Sequence, residues 1–326
     1  MAGRIVRSGV RCRYERETVA TPDGDRLSLD WGVPPTGAPA PAPPAPVLLI
    51  LHGLEGSSAS GYVRGTVRSA LAAGLRPVAL NFRSCDGAPN LRLRSYHSGE
   101  TGDPALVLDR LRERAPGAPI VAVGYSLGGN VLLKLLGEAG ARAGLAAAAA
   151  VSVPFDLGTS ARHLERPAAR IYTRYFLRSL RRKAREKARR YPGAFDAEAA
   201  DRARTLRAFD DAVTAPVHGF ADAEDYYARA SSLPRLGEIR VPTLLVQAAD
   251  DPFVPPDTLG AVGEVRNPAL RLVFPERGGH LGFLAPGPGL VPRPWVETAA
   301  VAFLAERAGQ VAILGQDTRE REETVR

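Results

Sequence analysis

Residues 120–130 read Ile120-Val121-Ala122-Val123-Gly124-Tyr125-Ser126-Leu127-Gly128-Gly129-Asn130. An apolar, β-branched run passes without a break into G-x-S-x-G, and the helix-compatible segment Asn130-Val131-Leu132-Leu133-Lys134-Leu135-Leu136 follows at once. In a strand–turn–helix context this pattern becomes a nucleophile elbow, with the serine at the tip of a sharp turn. That turn needs strained backbone at the serine and small residues two positions either side of it, which explains Gly124 and Gly128. The new helix points its free N–H groups and positive dipole end at any oxyanion formed there. G-x-S-x-G alone also occurs by chance in ordinary glycine-rich turns; the readable strand and helix on its two flanks decide for the elbow. Ser126 is the candidate nucleophile.

Outward from this stretch the pattern is one of alternation. Arg13–Thr18 and Leu27–Trp31 read as short strands around the turn Thr21-Pro22-Asp23-Gly24-Asp25, a hairpin signal. The Pro/Ala-rich segment from Pro34 to Pro46 reads as an extended connector. Val47–Leu51 is a continuous apolar strand, Ser60–Ala73 a helix closed by Gly74, Pro77–Phe82 a strand, and Asp103–Arg114 a helix. After the elbow come a small-residue strand at Leu145–Val153 and a strand at Leu244–Val246. Thr258–Val265 (helix), Leu270–Phe274 (strand) and Trp295–Arg307 (helix) complete the series. Apolar strands alternating with helices predict a mostly parallel sheet covered on both faces. Between Phe155 and Leu236 no strong strand appears, and Ala168–Arg190 and Ala197–Asp211 read as helices. The expected organisation is therefore an α/β core formed by residues 1–154 and 237–312, a helical cap at 155–236 inserted after the sixth strand, and a charged, frayed tail at 313–326.

Length and composition narrow the function classes. A chain of 326 residues, 45% hydrophobic, buries a large core. Its two cysteines, Cys12 and Cys85, make neither a disulfide framework nor a metal cluster and suit a reducing cytoplasm, and the N-terminus lacks a signal-peptide core. No His/Cys/Asp cluster has ligand spacing, so no metal is expected. No G-x-G-x-x-G or phosphate-binding P-loop follows a strand, so neither a nucleotide nor any other cofactor is expected, and nucleic acid is not an expected partner. The net charge of +8 concentrates in Arg178–Arg190 (RSLRRKAREKARR), which carries eight Lys or Arg and one acid, Glu186. A basic helix beginning with an apolar stripe can rest on an anionic membrane; the plainer alternative is a solvated face in an arginine-rich chain.

A serine nucleophile requires a base within hydrogen-bond reach and an acid that orients the base. His280, in Arg277-Gly278-Gly279-His280-Leu281-Gly282-Phe283, sits after the last strand, in the order nucleophile, acid, base. The acid is Asp250 or Asp251; adjacent residues project in different directions, so one faces His280 while the other bonds its own loop backbone. His52, at a strand end, shapes the loop that donates to the oxyanion. His97 either lines the pocket or bonds its loop, while His163 and His218 read as cap-surface residues. The two oxyanion donors are the backbone N–H groups of Leu54 and Leu127. His52, His97, Tyr125 and Phe176 are the candidate pocket residues, Phe176 through its i, i+4 stripe with Tyr172 and Leu180.

With these residues in place, the chain resembles the YheT-like branch of the α/β-hydrolase superfamily, which also holds the eukaryotic abhydrolase-domain acylglycerol lipases and phospholipases. The matching stretches run from about Tyr14 to Phe303: TPDGDRLSLDW (21–31), HGLEGSS (52–58), NFRSCDG (81–87), YHSGETGD (96–103), GYSLGGN (124–130), VSVPFDL (151–157), FDDAVTAPVHGFADAEDYY (209–227), DDPFVP (250–255) and GGHLGF (278–283). The resemblance implies the α/β-hydrolase fold with Ser126 as nucleophile, His280 as base and Asp251 as acid, since proline follows the family's acid four residues on, as Pro255 does here. It implies hydrolysis of carboxylic esters, with acylglycerols or phospholipids as substrates in some members. The rival readings are thioester or amide hydrolysis on the same triad, and a non-catalytic binding protein that kept the fold.

Overall fold

The computed structural model describes residues 10–41, 44–286 and 292–309; the charged tail at 313–326 lies outside them. Eight strands form one sheet: β1 (Arg13–Ala20), β2 (Arg26–Val33), β3 (Val47–Leu51), β4 (Arg76–Asn81), β5 (Ile120–Tyr125), β6 (Ala147–Val151), β7 (Thr243–Val246) and β8 (Leu270–Val273). Their order is β1-β2-β4-β3-β5-β6-β7-β8. β2 runs antiparallel to both its neighbours and every later pairing is parallel. The β1–β2 hairpin turns where the sequence places it, with Gly24 at φ 76° and its N–H donating to Thr21 O at 2.9 Å.

β3 and β5 lie at the centre, and every residue of both is buried. Side chains alternate between the two faces, so one run feeds two cores. Leu49, Leu51 and Ala122 pack with α2 (Gly102–Arg114) and α3 (Leu127–Ala139). Leu48, Ile50, Val121 and Val123 pack with α1 (Gly61–Ala72) and the last helix, Val296–Arg307. A fully buried Leu, Ile or Val contributes about 1.5–3 kcal/mol, so these two strands anchor the domain. This is why the continuous apolar runs were readable as strands, Val47–Leu51 to the residue.

Every element between β6 and β7 among the described residues is helical. These are α4 (Leu157–Leu164), α5 (Arg170–Arg190), α6 (Ala197–Arg202), α7 (Leu206–Phe209), α8 (Ala215–His218) and α9 (Ala223–Ala230), joined by short 3₁₀ and π turns. Two helices, α10 (Pro256–Glu264) and α11 (Val296–Arg307), follow β7 and β8. The single helix expected over 197–211 is interrupted: Ala203 leaves the helical region at ψ 124°, and the Thr205 side chain accepts the N–H of Ala208 to start α7. A threonine that can cap a helix competes with continuing one, and here the cap wins. A short antiparallel pair that the sequence did not suggest, β9 (Leu284–Pro286) with β10 (Pro292–Pro294), follows the His280 loop.

The basic run of α5 does not form one outward face. Lys187 is 7% exposed and its Nζ donates to the carbonyl oxygens of Arg92 and Arg94. Lys183 reaches Glu55, Arg190 bonds Asn90 O, Arg181 bonds Ala203 O, and Arg185 pairs with Asp201. Much of the charge that composition assigns to the surface is thus used to bind the helix to the body and to its neighbours. Thr205→Ala is expected to cost about 1 kcal/mol of stability in urea unfolding; an unchanged midpoint would show that α7 does not depend on this cap.

Candidate active site

β5 ends at Tyr125 and α3 begins at Leu127, which leaves Ser126 to make the whole turn at φ 52°, ψ −120°. Such backbone is rare for a residue with a side chain and costs of order 1–3 kcal/mol. It persists because the surroundings fix it. Ser126 N–H donates to Val151 O at 2.8 Å on the neighbouring strand. A Cβ at Gly124 would lie 2.4 Å from Gly128 O, and a Cβ at Gly128 would lie 2.5 Å from both Leu51 O and His52 O. The two glycines are required because the start of α3 presses against the ends of β5 and β3.

Ser126 Oγ lies 2.9 Å from His280 Nε2, and His280 Nδ1 lies 2.9 and 3.1 Å from the two carboxylate oxygens of Asp251. An ionised carboxylate only accepts, so Nδ1 carries the proton and Nε2 is free to accept from the serine hydroxyl. Asp251 is 4% exposed. Burial pushes its carboxyl up, but the His280 imidazole, the Phe253 N–H (2.9 Å) and the Gln247 side-chain amide (2.8 Å) outweigh burial and hold it below the ordinary carboxylate range. Asp250 turns the other way: one of its oxygens accepts the N–H groups of Gly278 (2.8 Å) and Gly279 (2.6 Å). The expectation for the second carboxylate was a bond to its own loop; it instead ties down the loop that carries His280. The Phe253 ring packs on the imidazole with centroids 3.9 Å apart. The sequence reading missed Gln247 and Phe253, though an aromatic residue between Asp251 and Pro255 in a turn-forming loop was the available signal.

The loop after β3 is held donor by donor. Phe82 N–H donates to His52 Nε2 at 3.1 Å, so the proton sits on Nδ1, which donates to Gly53 O at 2.8 Å. Burial pushes the His52 imidazole down to about 4, so it stays neutral. Gly53 N–H donates to the Tyr62 hydroxyl (2.9 Å), Glu55 N–H to the Tyr96 hydroxyl (2.9 Å), and Gly56 N–H to Gly53 O (2.9 Å). The N–H of Leu54, between them, has no acceptor among the described residues. Nor has the N–H of Leu127, which as the first residue of α3 lacks an intrahelical partner. Glu55 adopts φ 55° and its side chain is 5% exposed. Its carboxylate accepts from Lys183 Nζ (2.7 Å), from the Tyr96 hydroxyl (2.8 Å) and from the Ser179 hydroxyl. Lys183 and Ser179 belong to α5, so the inserted helices hold this loop from above.

Ser126 and Leu127 open into a cavity of about 160 Å³ whose walls from the insertion include Leu157, Leu164, Phe176, Leu180 and Phe209. His97 lines it, and its Nδ1 accepts the Gly99 N–H at 3.1 Å. His218, expected on the surface, also lines it, with its ring 4.6 Å from that of His97; burial pushes both imidazoles down to about 3. Tyr125 and His52 do not line the cavity. Tyr125 precedes Ser126 on the strand and therefore points to the opposite face of the sheet, where its hydroxyl meets Thr66 Oγ1 at 2.6 Å and its ring packs on Tyr62. His163 lies outside the lining. Among the described residues no group of His, Cys, Asp and Glu is placed to hold a metal ion, and no helix is long and apolar enough to cross a membrane.

This sheet order, elbow and hydrogen-bonded Ser–His–Asp chain define the α/β-hydrolase class, and comparison agrees. Residues 46–285 match the alpha/beta hydrolase fold family, to which the chain belongs. It is 40% identical over 300 residues to Escherichia coli (strain K12) YheT, whose name assigns esterase activity provisionally, with 91% of this chain and 86% of that one covered. It is 33% identical over 283 residues to the Mus musculus phospholipase ABHD3, covering 86% of this chain and 68% of that one. Among solved structures, the Pyrococcus furiosus esterase Pf2001 superposes with a TM-score of 0.53 at 17% identity, covering 82% of each chain, a likeness of fold.

Gly128→Ala should cost about 1–3 kcal/mol in thermal or urea unfolding because its methyl group would overlap two carbonyl oxygens. Gly237→Ala, whose Cβ would meet nothing within 4 Å, should stay within about 0.5 kcal/mol of wild type. Equal losses at the two sites would disprove the close-approach account of Gly128.

Proposed function

We propose that the protein is a serine hydrolase that cleaves carboxylic esters with a medium or long acyl chain. The observation that carries this reading is the continuous chain Ser126 Oγ–His280 Nε2 and His280 Nδ1–Asp251, each link 2.9 Å at its shortest, with Ser126 lining a largely apolar cavity. The names of the similar proteins, esterase and phospholipase, support the same class of substrate.

In this reading Ser126 Oγ attacks the ester carbonyl carbon while its proton passes to His280 Nε2. Asp251 keeps the imidazole in the correct tautomer and stabilises the imidazolium. The carbonyl oxygen, now negative, receives the free N–H groups of Leu54 and Leu127; two such donors aimed at developing charge are worth several kcal/mol. Collapse expels the alcohol, which takes the proton from His280 and leaves an acyl-Ser126 ester. Water then attacks that ester, losing a proton to His280; collapse returns that proton to Ser126 Oγ and releases the carboxylic acid. The apolar walls supplied by α4, α5 and α7 receive the acyl chain.

The outer surface of α5 supports a contact with an anionic lipid surface. Ile171 (61% exposed) and Tyr175 (59%) stand beside the exposed Arg174 and Arg178, a mixed apolar and basic face suited to a lipid interface. Double replacement Ile171→Ser with Arg178→Gln should weaken co-sedimentation with anionic vesicles. Equal retention by anionic and neutral vesicles, or none by either, would rule the contact out.

On p-nitrophenyl esters of graded chain length, Ser126→Ala should fold normally and lose roughly three or more orders of magnitude in kcat. A fluorophosphonate should label wild type at Ser126 alone. Asp251→Asn should lower kcat by roughly 10⁴, since an amide favours the wrong tautomer; Asp250→Asn should cost far less. Near-wild-type activity in Ser126→Ala would overturn the hydrolase reading, and the opposite order of the two Asp variants would overturn the choice of acid. Phe176→Ala should shift the kcat/KM ratio between long and short esters by roughly tenfold; an unchanged ratio with a lowered melting temperature would give Phe176 a packing role only.

A further inference from the structure

The cavity that opens at Ser126 is not apolar throughout. The segment from Phe209 to His218 presents two stripes to it: Phe209, Val213 and Val217 are apolar, while Asp210, Thr214 and His218 are polar. The polar stripe starts in the π turn Asp210–Thr214, a wide turn of the kind that recurs at functional sites. One oxygen of Asp210 accepts the Thr214 hydroxyl at 2.6 Å and the other accepts the Tyr227 hydroxyl at 2.7 Å. An ionised carboxylate has about four acceptor positions, so each oxygen keeps room for another donor. No Lys, Arg or His pairs with Asp210 among the described residues, and the charge that acts on it is a second carboxylate, Asp211. Burial pushes the Asp210 carboxyl up to about 6. A carboxylate so placed is stabilised by any donor that enters the cavity. Ser160 of α4 is an independent sign. It lines the same cavity at 4% exposure, and its hydroxyl has no hydrogen-bond partner among the described residues. Its helix neighbours Leu157 and Ala161 pack with Tyr227, the residue that holds Asp210. A plain hydrocarbon chain would leave this polar wall unanswered, and buried polar groups are as a rule hydrogen-bonded.

We propose that Asp210 is a specificity-determining residue that accepts a hydrogen bond from a hydroxyl group on the acyl chain, which makes esters of hydroxy acids the preferred substrates. The inference rests on the ester-hydrolase reading and names a feature of the acid part of its substrate. Asp210 directly follows Phe209, the end of α7 and part of the wall along which the acyl chain lies. Two hydroxyls, of Thr214 and Tyr227, already hold the carboxylate, and the substrate supplies a third. An ammonium group suits the cavity less well, because His97 and His218 in its wall both lie in the positive field of Arg94.

The test uses ethyl decanoate and the ethyl esters of decanoic acid hydroxylated at the third, the eighth or the tenth carbon, so that the alcohol part never changes. Wild type should favour one hydroxydecanoate over decanoate by about tenfold in kcat/KM, through KM, the size of one charge-assisted hydrogen bond. Asp210→Asn should bring that ratio close to one. Cleavage of decanoate by wild type with no hydroxydecanoate preferred would overturn the proposal while leaving the hydrolase reading intact, and this arm needs no variant to fold. A ratio unmoved in Asp210→Asn, with a lowered melting temperature, would give Asp210 only the structural task of tying the π turn to α9, against the proposal. Stronger preference for the amino ester than for the hydroxy ester at the same carbon would make the carboxylate a cation site and overturn it. So would a preference for decanoylglycerol over ethyl decanoate that Asp210→Asn abolishes, since the hydroxyl would then belong to the alcohol part. Failure of wild type to cleave any of these esters would overturn the hydrolase reading and this inference with it.

Discussion

The contact between the first turn of α3 and the carbonyl ends of β3 fixes the rest of the site. Leu51 O and His52 O stand where a Cβ on Gly128 would be, so helix and strand meet backbone to backbone. That closeness forces Ser126 into its strained turn and brings the N–H of Leu127 to the same edge as the N–H of Leu54. Neither donor depends on its own side chain. Their direction is set by the N–H groups around them, each already committed to Tyr62, Tyr96 or Gly53 O. Strain stored at one residue is thus held by a sheet whose two central strands are wholly buried.

The His280 ring is positioned by a different device. Asp250 and Asp251 are neighbours in sequence, and the backbone turns them to opposite tasks. Asp251 orients the imidazole; Asp250 grips the peptide N–H groups of Gly278 and Gly279, just before it. One loop after β7 therefore fixes both the ring and the chain that carries it, with Phe253 closing the ring's open face. A histidine in a glycine-rich loop would otherwise sample many orientations, and each one lost would cost conformational entropy at the moment of reaction.

What the sequence revealed, and what it withheld, follows from the range of the forces involved. β3 was legible to the residue and the start of β5 as well, because burial on both faces writes an unbroken apolar run; β5 continues two residues beyond that run, to Tyr125. The elbow was legible because its pattern of small residues around the serine is local in sequence, although the strand end that requires Gly128, at Leu51 and His52, is not. The choice between Asp250 and Asp251 was not legible from spacing, since it depends on a loop some thirty positions away; only resemblance to a family favoured Asp251. Tyr125 was expected in the pocket and is next to Ser126 in sequence, yet strand alternation turns neighbours to opposite faces. The helix expected over 197–211 broke because the side chain of Thr205 competes locally with the helix. The basic run looked like surface because its acceptors, the carbonyls of Arg92 and Arg94 and the carboxylate of Glu55, are distant in the chain and carry no pattern.

The pairing of Glu55 with Lys183 bears on how such a protein can diverge. Glu55 lies in the loop after β3, while Lys183 lies in α5, among the helices between β6 and β7. Replacing Lys183 alone strands a nearly buried carboxylate beside the Leu54 N–H; replacing Glu55 alone strands a largely buried ammonium. The two positions are therefore bound to change together. An insertion borrowed from another hydrolase to alter the range of esters accepted would have to bring a cation to the same spot, so new specificity here must be inherited along with the means of holding the loop.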